Sequence, residues 1–524
     1  AWAAYLREAY ARESAIIERI FESRQRSDGQ IGGGYGDDVE ALRKIVPIAA
    51  ISTANRRIIE GVERLAEGVW KYDTVEGYNP DVSDVEHSSE QSADSFPTMM
   101  LLRYGDPRFY EFNLRSAKTI REKFMGIDAK GHPRFLSGTF GSKGVATHDR
   151  AGGDTGYHAR AMKHFLWLAW YGNSEALDWY VRWLDGWREA AVTEAPDKPA
   201  GVLPGTLWFP SGHWQHPWSG KPWYAEDPTH LYGPWGLGGL LQESFLNVYA
   251  LTGNREFLKP MQLLMDWATA GPLQRDQERD KLQPGSREWF RLPMAHQAGA
   301  NLTALYRYLT GERVYDEYTM RFGTSPQLYP IDHDLNRLMS GIEKAAKSLR
   351  TNLWYWTTET LSTDRLHLPA VAEVWSAYTG AINTTGDCEL PTWAVTYDTP
   401  DTNFAAMVVE ATPGRLRAWL YSFWDQPTPI ELRVWQLIPG RYVLNAGEQL
   451  KGEFPFQHRY AWEPSCYVDI EKRGQAVPIT LPPQKVYVLD LRLDEEKPTP
   501  QRACDLALHA VSYTHLTLPT IYSV

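Results

Sequence analysis

DVEHSSEQSADSFPTMMLLRYGD, residues 84–106, divides at Pro97 into a polar half and an apolar half. The polar half carries His87, Glu90, Gln91 and Asp94; the apolar half ends in Tyr104-Gly105-Asp106. Proline has no amide hydrogen and suits only the first turn of a helix. The spacing therefore predicts a helix starting near Ser95, capped by Ser95 or Asp94. Gly105 is the expected left-handed terminator, and Asp106 the cap of a following helix that opens with Pro107. On this reading the polar half is a loop at a helix mouth, a common setting for chemistry.

The ending recurs. Tyr171-Gly172-Asn173, Thr252-Gly253-Asn254 and Thr310-Gly311-Glu312 each follow an apolar run and precede an amphipathic one. The polar cap is weakest at Glu312. Successive glycines stand about 67, 81 and 58 residues apart, an irregular repeat of helical hairpins with inserted loops. Tetratricopeptide-type repeats are shorter and more regular.

Charge narrows the partners. With 54 lysines and arginines against 65 acids the net charge is −11, so nucleic acid is not expected. No apolar stretch of ~18 residues marks a membrane span. Cys388, Cys466 and Cys504 are too few and too scattered for a disulfide framework or a zinc cluster. Twenty-two tryptophans and 28 tyrosines supply faces that stack on sugar rings as well as pack a core. The chain opens at Ala1 inside a helical pattern, and a missing leader makes a secreted or periplasmic protein the expectation. Val511 to Thr520, VSYTHLTLPT, resembles a translated sequencing adapter, so no packed role is expected from about residue 511 onward.

Three further stretches carry chemistry. In IGGGYGDDVE, residues 31–40, four glycines precede Asp37 and Asp38 at a helix start. One acid suits a cap and the other a cleft; no Lys-Ser/Thr follows, so it is no phosphate loop. THDRAGGDTGYH, residues 147–158, packs His148, Arg150, Asp154, Tyr157 and His158 around glycines ahead of an apolar helix. Residues 201–235 form a long aromatic segment without period, and long aperiodic segments are functional or disordered. It holds Trp208, His213, Trp214, His216, Trp218, Trp223, Glu226, Asp227 and His230, a composition suited to a sugar-binding rim. His213 and His216 lack further ligand spacing, so neither a metal nor another cofactor is expected.

Beyond Pro326 the pattern changes. Residues 392–423 and 430–445 alternate apolar and polar, with turns at Pro413-Gly414 and Pro439-Gly440. The predicted organisation is a helical domain over 1–335, a linker helix over 336–351, an antiparallel β-sandwich over 352–495 and a tail over 496–524.

Paired helices followed by such a sandwich resemble the (α/α)-toroid carbohydrate-active enzymes, polysaccharide lyases and unsaturated uronide hydrolases among them. The resemblance is one of architecture over most of residues 1–495. It implies a uronic-acid polysaccharide as substrate and cleavage by β-elimination. That chemistry neutralises the uronate carboxylate, removes the neighbouring proton and protonates the leaving oxygen. Tyr157 and His158 then stand as acid and base, His87, Gln91, His148 and Arg150 face the carboxylate, and Asp154 orients a histidine. The alternative is hydrolysis by two carboxylates, for which Asp38, Glu90, Asp94, Asp154, Glu226 and Asp227 are the supply. A glycan-binding protein without catalysis would need the aromatic rim but not the two polar clusters.

Overall fold

All four hairpin glycines adopt backbone angles that side chains resist: φ is +86° at Gly105, +93° at Gly172, +71° at Gly253 and +72° at Gly311. The residue after three of them caps the next helical element. Asp106 accepts from the Arg108 amide, Asn173 from Ala176 and Asn254 from Glu256. Glu312 caps nothing, and the next helix starts at Asp316.

The computed structural model describes residues 2–146, 152–195, 198–215, 240–269, 281–283, 297–351, 363–383, 390–451 and 459–496. Its helices are α1 (Trp2–Arg24), α2 (Gly34–Glu40), α3 (Leu42–Ile51), α4 (Arg56–Gly68), α5 (Val85–Leu102), α6 (Pro107–Thr119), α7 (His158–Ala161), α8 (Lys163–Trp170), α9 (Ser174–Val192), α10 (Leu240–Thr252), α11 (Lys259–Thr269), α12 (Gln297–Thr310), α13 (Asp316–Phe322), α14 (Ser325–Asp332), α15 (Leu335–Thr351) and α16 (Val371–Thr379). Short strands interrupt them: β1 (Ser83–Asp84), β2 (Met125–Ile127), β3 (Pro133–Phe135), β4 (Thr139–Gly141), β5 (Gly144–Val145), β6 (Gly153–Thr155) and β7 (Thr206–Trp208). Packed neighbours run α1, α4, α5, α6, α8, α9, α10, α12, α13, α14, α15, and α15 lies against α1 again. No helix among the described residues is long and apolar enough to cross a membrane.

The expected start of α5 is wrong by a decade of residues. The helix begins at Val85, because Asp84 caps it by accepting from the Glu86 and His87 amides at 3.1 and 3.3 Å. Pro97 sits inside it. Hydroxyls bond back onto carbonyls one turn earlier: Ser88 to Asp84, Ser95 to Gln91 and Thr98 to Asp94. Serine and threonine in this role tolerate and bend a helix, which suits one that carries a proline. The polar half is thus a helix face, and Glu86, Glu90 and Asp94 fall at i, i+4 and i+8 on one stripe of it.

The β boundary also moves. The helix expected as a linker over 336–351 is present as α15 and packs on α1, α14 and α16 as part of the helical body. The strands start at Val395, with β8 (Val395–Asp398), β9 (Phe404–Thr412), β10 (Arg415–Ser422), β11 (Thr428–Val434), β12 (Gly440–Lys451), β13 (Arg459–Trp462), β14 (Cys466–Ile470), β15 (Gln475–Leu481) and β16 (Val486–Glu496). α16 was hidden because it is short and buried nearly all round, which leaves no amphipathic period to read. The strands form two antiparallel sheets, ordered β13-β12-β16-β10-β9 with β14 also on β12, and β15-β11-β8. One contiguous core runs from α1 through the sheets. Tyr10, Tyr378 and Phe404 meet in tilted and edge-on contacts where α1, α16 and β9 join, and Arg473 lies 4.1 Å over the Trp170 ring.

Glu13 of α1 is a buried acid in apolar surroundings. Its side chain is fully buried and neither carboxyl oxygen has a hydrogen-bond partner among the described residues. Burial, then the charge of Glu373, pushes its pKa well above the usual glutamate value of 4.5. A group with a raised folded pKa gives its full stability below the unfolded value and loses it as pH rises toward the folded one. Glu13→Met is therefore expected to stabilise the fold by about 1–3 kcal/mol at pH 8 and by less at pH 4, measured by urea unfolding at both.

Candidate functional site

The acid row of α5 meets α2, α3 and α7. Asp94 is the inner end, and Arg160 of α7, with no exposed surface, donates to Asp94 Oδ2 at 2.7 Å and to Glu40 Oε1 of α2 at 3.0 Å. Arg43 of α3 donates to the same two oxygens at 3.3 and 2.9 Å. Lys163 stands 3.8 Å from Asp94 Oδ1. Burial opposes ionisation of Asp94, but the Arg160, Arg43 and Lys163 charges outweigh it and hold the carboxyl far below the usual aspartate range.

Glu90 is the middle of the row and a different case. It is 8% exposed, 3.9 Å from Arg160 Nη1, and has no hydrogen-bond partner among the described residues. α2 lies against it at Gly36, where a Cβ would sit on Glu90 Oε1. Burial is the main cause that pushes its pKa up to about 7; Glu40 and Asp94 add to the rise, while Arg160 and His87 restrain it. Two neighbouring carboxyls on one helix are thus shifted in opposite directions, Glu90 up and Asp94 down.

Glu86 forms the outer end and accepts from the Tyr157 hydroxyl at 3.2 Å. His87 beside it is exposed, with Nδ1 2.8 Å from Asp84 Oδ2. Partial burial opposes protonation of His87, but the Asp84 hydrogen bond and charge, with Glu90 and Glu86, raise its pKa overall. Gln91, half-buried, has its Oε1 buried without a partner among the described residues. On α2 itself, the Asp37 pKa is raised by burial first and then by the charges of Asp364, Glu40 and Asp38, with Arg365 opposing.

Other sequence candidates are used differently. Asp38 accepts from the amides of Ile31, Gly32 and Gly33 and from Thr363 Oγ1, so both oxygens tie down the glycine loop. His158 points away from Tyr157. Its ring stacks 4.0 Å from Phe135, Nδ1 accepts from the Thr155 amide and Nε2 faces the Ser137 carbonyl. Fully buried, it has no face for a substrate, so the pairing of Tyr157 with His158 does not hold. Asp154 is buried between Trp183 Nε1 at 2.8 Å and Arg134 at 3.4 Å, with His158 Nδ1 at 3.3 Å. It lies in β6. Trp208 and Trp214 are 1% and 6% exposed; Trp208 is in β7 opposite Gly153, and Lys198 and Lys130 lie over Trp214. His213 stacks on Trp214. Their ring faces are covered rather than offered. His148, Arg150, His216, Trp218, Trp223, Glu226, Asp227 and His230 lie outside the described residues.

Reading residues 84–94 as a loop concealed Glu86, Glu40, Arg43, Arg160 and Lys163. The signal was present in the four-residue spacing of Glu86, Glu90 and Asp94. Two triads among the described residues bring possible metal-binding atoms within 4.8 Å of each other: Asp84, Glu86 and His87, and His132, Asp185 and Glu189.

Removing one member of a buried pair leaves an uncompensated charge, so Asp94→Asn is expected to cost about 3–5 kcal/mol at pH 7 in chemical denaturation. Asp94 has a lowered folded pKa, so its contribution is present above the unfolded value of 3.8 and lost as pH falls through the folded one. The gap between wild type and variant should accordingly close below pH 3.8.

No protein-family model matches this sequence, and a search of curated proteins finds no match.

Proposed function

We propose that the chain is a carbohydrate-active enzyme that hydrolyses a glycosidic bond, with Glu90 as the group that gives and takes the proton. The observation that carries this reading is the position of Glu90: its stem is packed, its tip has no hydrogen-bond partner among the described residues, and it lies between a locked anion and the helix mouth. Hydrolysis needs two carboxyl groups in different surroundings, one to hold a proton and one to stay ionised. Glu86, one turn earlier, is the second. Side chains at i and i+4 have Cβ atoms ~5–6 Å apart and share one helix face, so the two carboxyl groups can address one bond. The Tyr157 hydroxyl donates to Glu86, a hydrogen bond that a carboxylate accepts. Asp94 is 3% exposed and serves to anchor Arg160 rather than to touch a sugar.

An (α/α) toroid with a β-sandwich is part of this proposal. The closed path of helix neighbours and the two antiparallel sheets support it. A polymeric glycan as substrate also suits a secreted or periplasmic setting.

A second reading, β-elimination on a uronate, draws on one specific feature. His87 is oriented by Asp84 and exposed next to Tyr157's partner Glu86, so His87 and Tyr157 would replace the Tyr157–His158 pair as base and acid. The readouts separate the two. Hydrolysis yields reducing ends without new ultraviolet absorbance, whereas elimination yields an absorbing unsaturated uronide.

Glu90→Gln keeps the shape and removes the proton exchange. It is expected to lower kcat by ~10²–10⁴ with little change in melting temperature. In wild type the rate should fall as pH rises through about 7, because Glu90 then loses its proton, and the variant should lack that limb. Unchanged turnover in Glu90→Gln would remove it from the chemistry.

A further inference from the structure

The four glycines of residues 31–40 do not serve one purpose. Gly32 and Gly34 take φ of +125° and +84°, with open space where a side chain would stand, so they turn the chain. Gly36 lies inside α2 and has no left-handed φ. At such a position glycine normally loses to alanine, the best helix former. What Gly36 supplies is room. A β-carbon at position 36 would stand 2.4 Å from Glu90 Oε1 and 3.4 Å from Glu90 Cδ, with Gln91 Nε2 at 3.8 Å.

α2 is tied down on the far side of this contact. Asp38 accepts from the Ile31 and Gly33 amides at 2.6 and 2.9 Å and from Thr363 Oγ1 at 2.6 Å. Glu40 accepts from Arg160 at 3.0 Å and from Arg43 at 2.9 Å. The movable partner is therefore the tip of Glu90, the far end of a flexible side chain. We infer that Gly36 is a positioning residue for Glu90: its missing side chain lets the α2 backbone close on the carboxyl and fixes where that carboxyl stands. The kinetic arm of this inference rests on the hydrolase reading, and the packing argument does not. A methyl at position 36 displaces the carboxyl toward solvent or toward Arg160 Nη1, 3.9 Å away. Burial is the first influence on Glu90, followed by Arg160 of α7, Glu40 of α2, and Asp94 and His87 of its own helix. Leaving the dry contact with α2 and nearing the guanidinium both favour the carboxylate.

The test uses the full chain and Gly36→Ala. Carboxyl carbon NMR on isotope-labelled glutamate, with Glu90→Gln identifying the signal, follows Glu90 whether or not a substrate is known. The wild-type midpoint of about 7 should fall by ~1 pH unit or more. Reducing-end release from neutral, aminated and uronate oligosaccharides supplies the kinetics. On the best substrate kcat should drop ~10²-fold, as a misplacement of ~1 Å does, with KM little changed. The melting temperature should hold or rise. Glu90→Asp withdraws the carboxyl from position 36, so Gly36→Ala should cost at least ~10-fold less in that background. An unmoved midpoint with unchanged kcat would overturn the inference and leave the hydrolase reading to Glu90→Gln. Equal costs in the two backgrounds would overturn it as well. So would a marked fall in melting temperature, because α2 rather than Glu90 would then have yielded. A shifted midpoint in a protein that cleaves none of these sugars would uphold the role of Gly36 and remove the hydrolase reading.

Discussion

The Arg160 guanidinium is the constraint on which the arrangement depends. One buried cation from α7 bridges Asp94 on α5 and Glu40 on α2, and Arg43 on α3 closes the same group from the other side. Three stretches of the chain, the consecutive α2 and α3, then α5, then α7, are tied at one point. A buried ion pair is a poor source of net stability, since desolvation offsets most of its attraction. Its value here is positional. A carboxylate and a guanidinium accept few geometries, so α5 and α7 cannot slide without stranding a charge in a dry environment.

That constraint shows why some of the molecule was legible in the sequence and some was not. The glycine stops, and the caps after three of them, are local devices. Gly105 ends its helix and Asp106 caps the next for reasons contained within a few residues. Helical hairpins could therefore be read in order, and so could the alternating strands after residue 395. The start of α5 could not, because Pro97 outweighed Asp84 in the reading while serine and threonine back-bonds settle the matter in the fold. The cost was large. A loop hides spacing, whereas a helix turns Glu86, Glu90 and Asp94 into a row.

The same limit applied to the other candidates. Density of titratable groups marked residues 147–158, but density does not give direction. Tyr157 and Arg160 face α5, while His158 between them turns to Phe135 and Ser137. Asp38 looked like half of an acid pair, yet three backbone amides claim it. Each misplacement is tertiary: only the packing of distant segments decides which polar group is consumed and which is left over.

The row on α5 also relates the two parts of the chain to the site. At the far end of this helix Tyr104 meets Trp435 of the sheet region edge-on at 5.0 Å, and Arg473 covers Trp170 at the end of α8. The acid row starts at the opposite end, roughly 25 Å away for a helix of this length. The sheets thus brace the C-terminal ends of α5 and α8. The N-terminal mouth of α5 is the positive end of the helix dipole, which favours an anion in the first turn and fades by the second or third. Glu86 sits in the first turn, Glu90 in the second and Asp94 in the third. The dipole assists the first, Arg160 secures the last, and Glu90 between them receives the least help from either. One helix held at its far end therefore presents three acids in three electrostatic settings, and the middle one is the acid whose pKa burial raises.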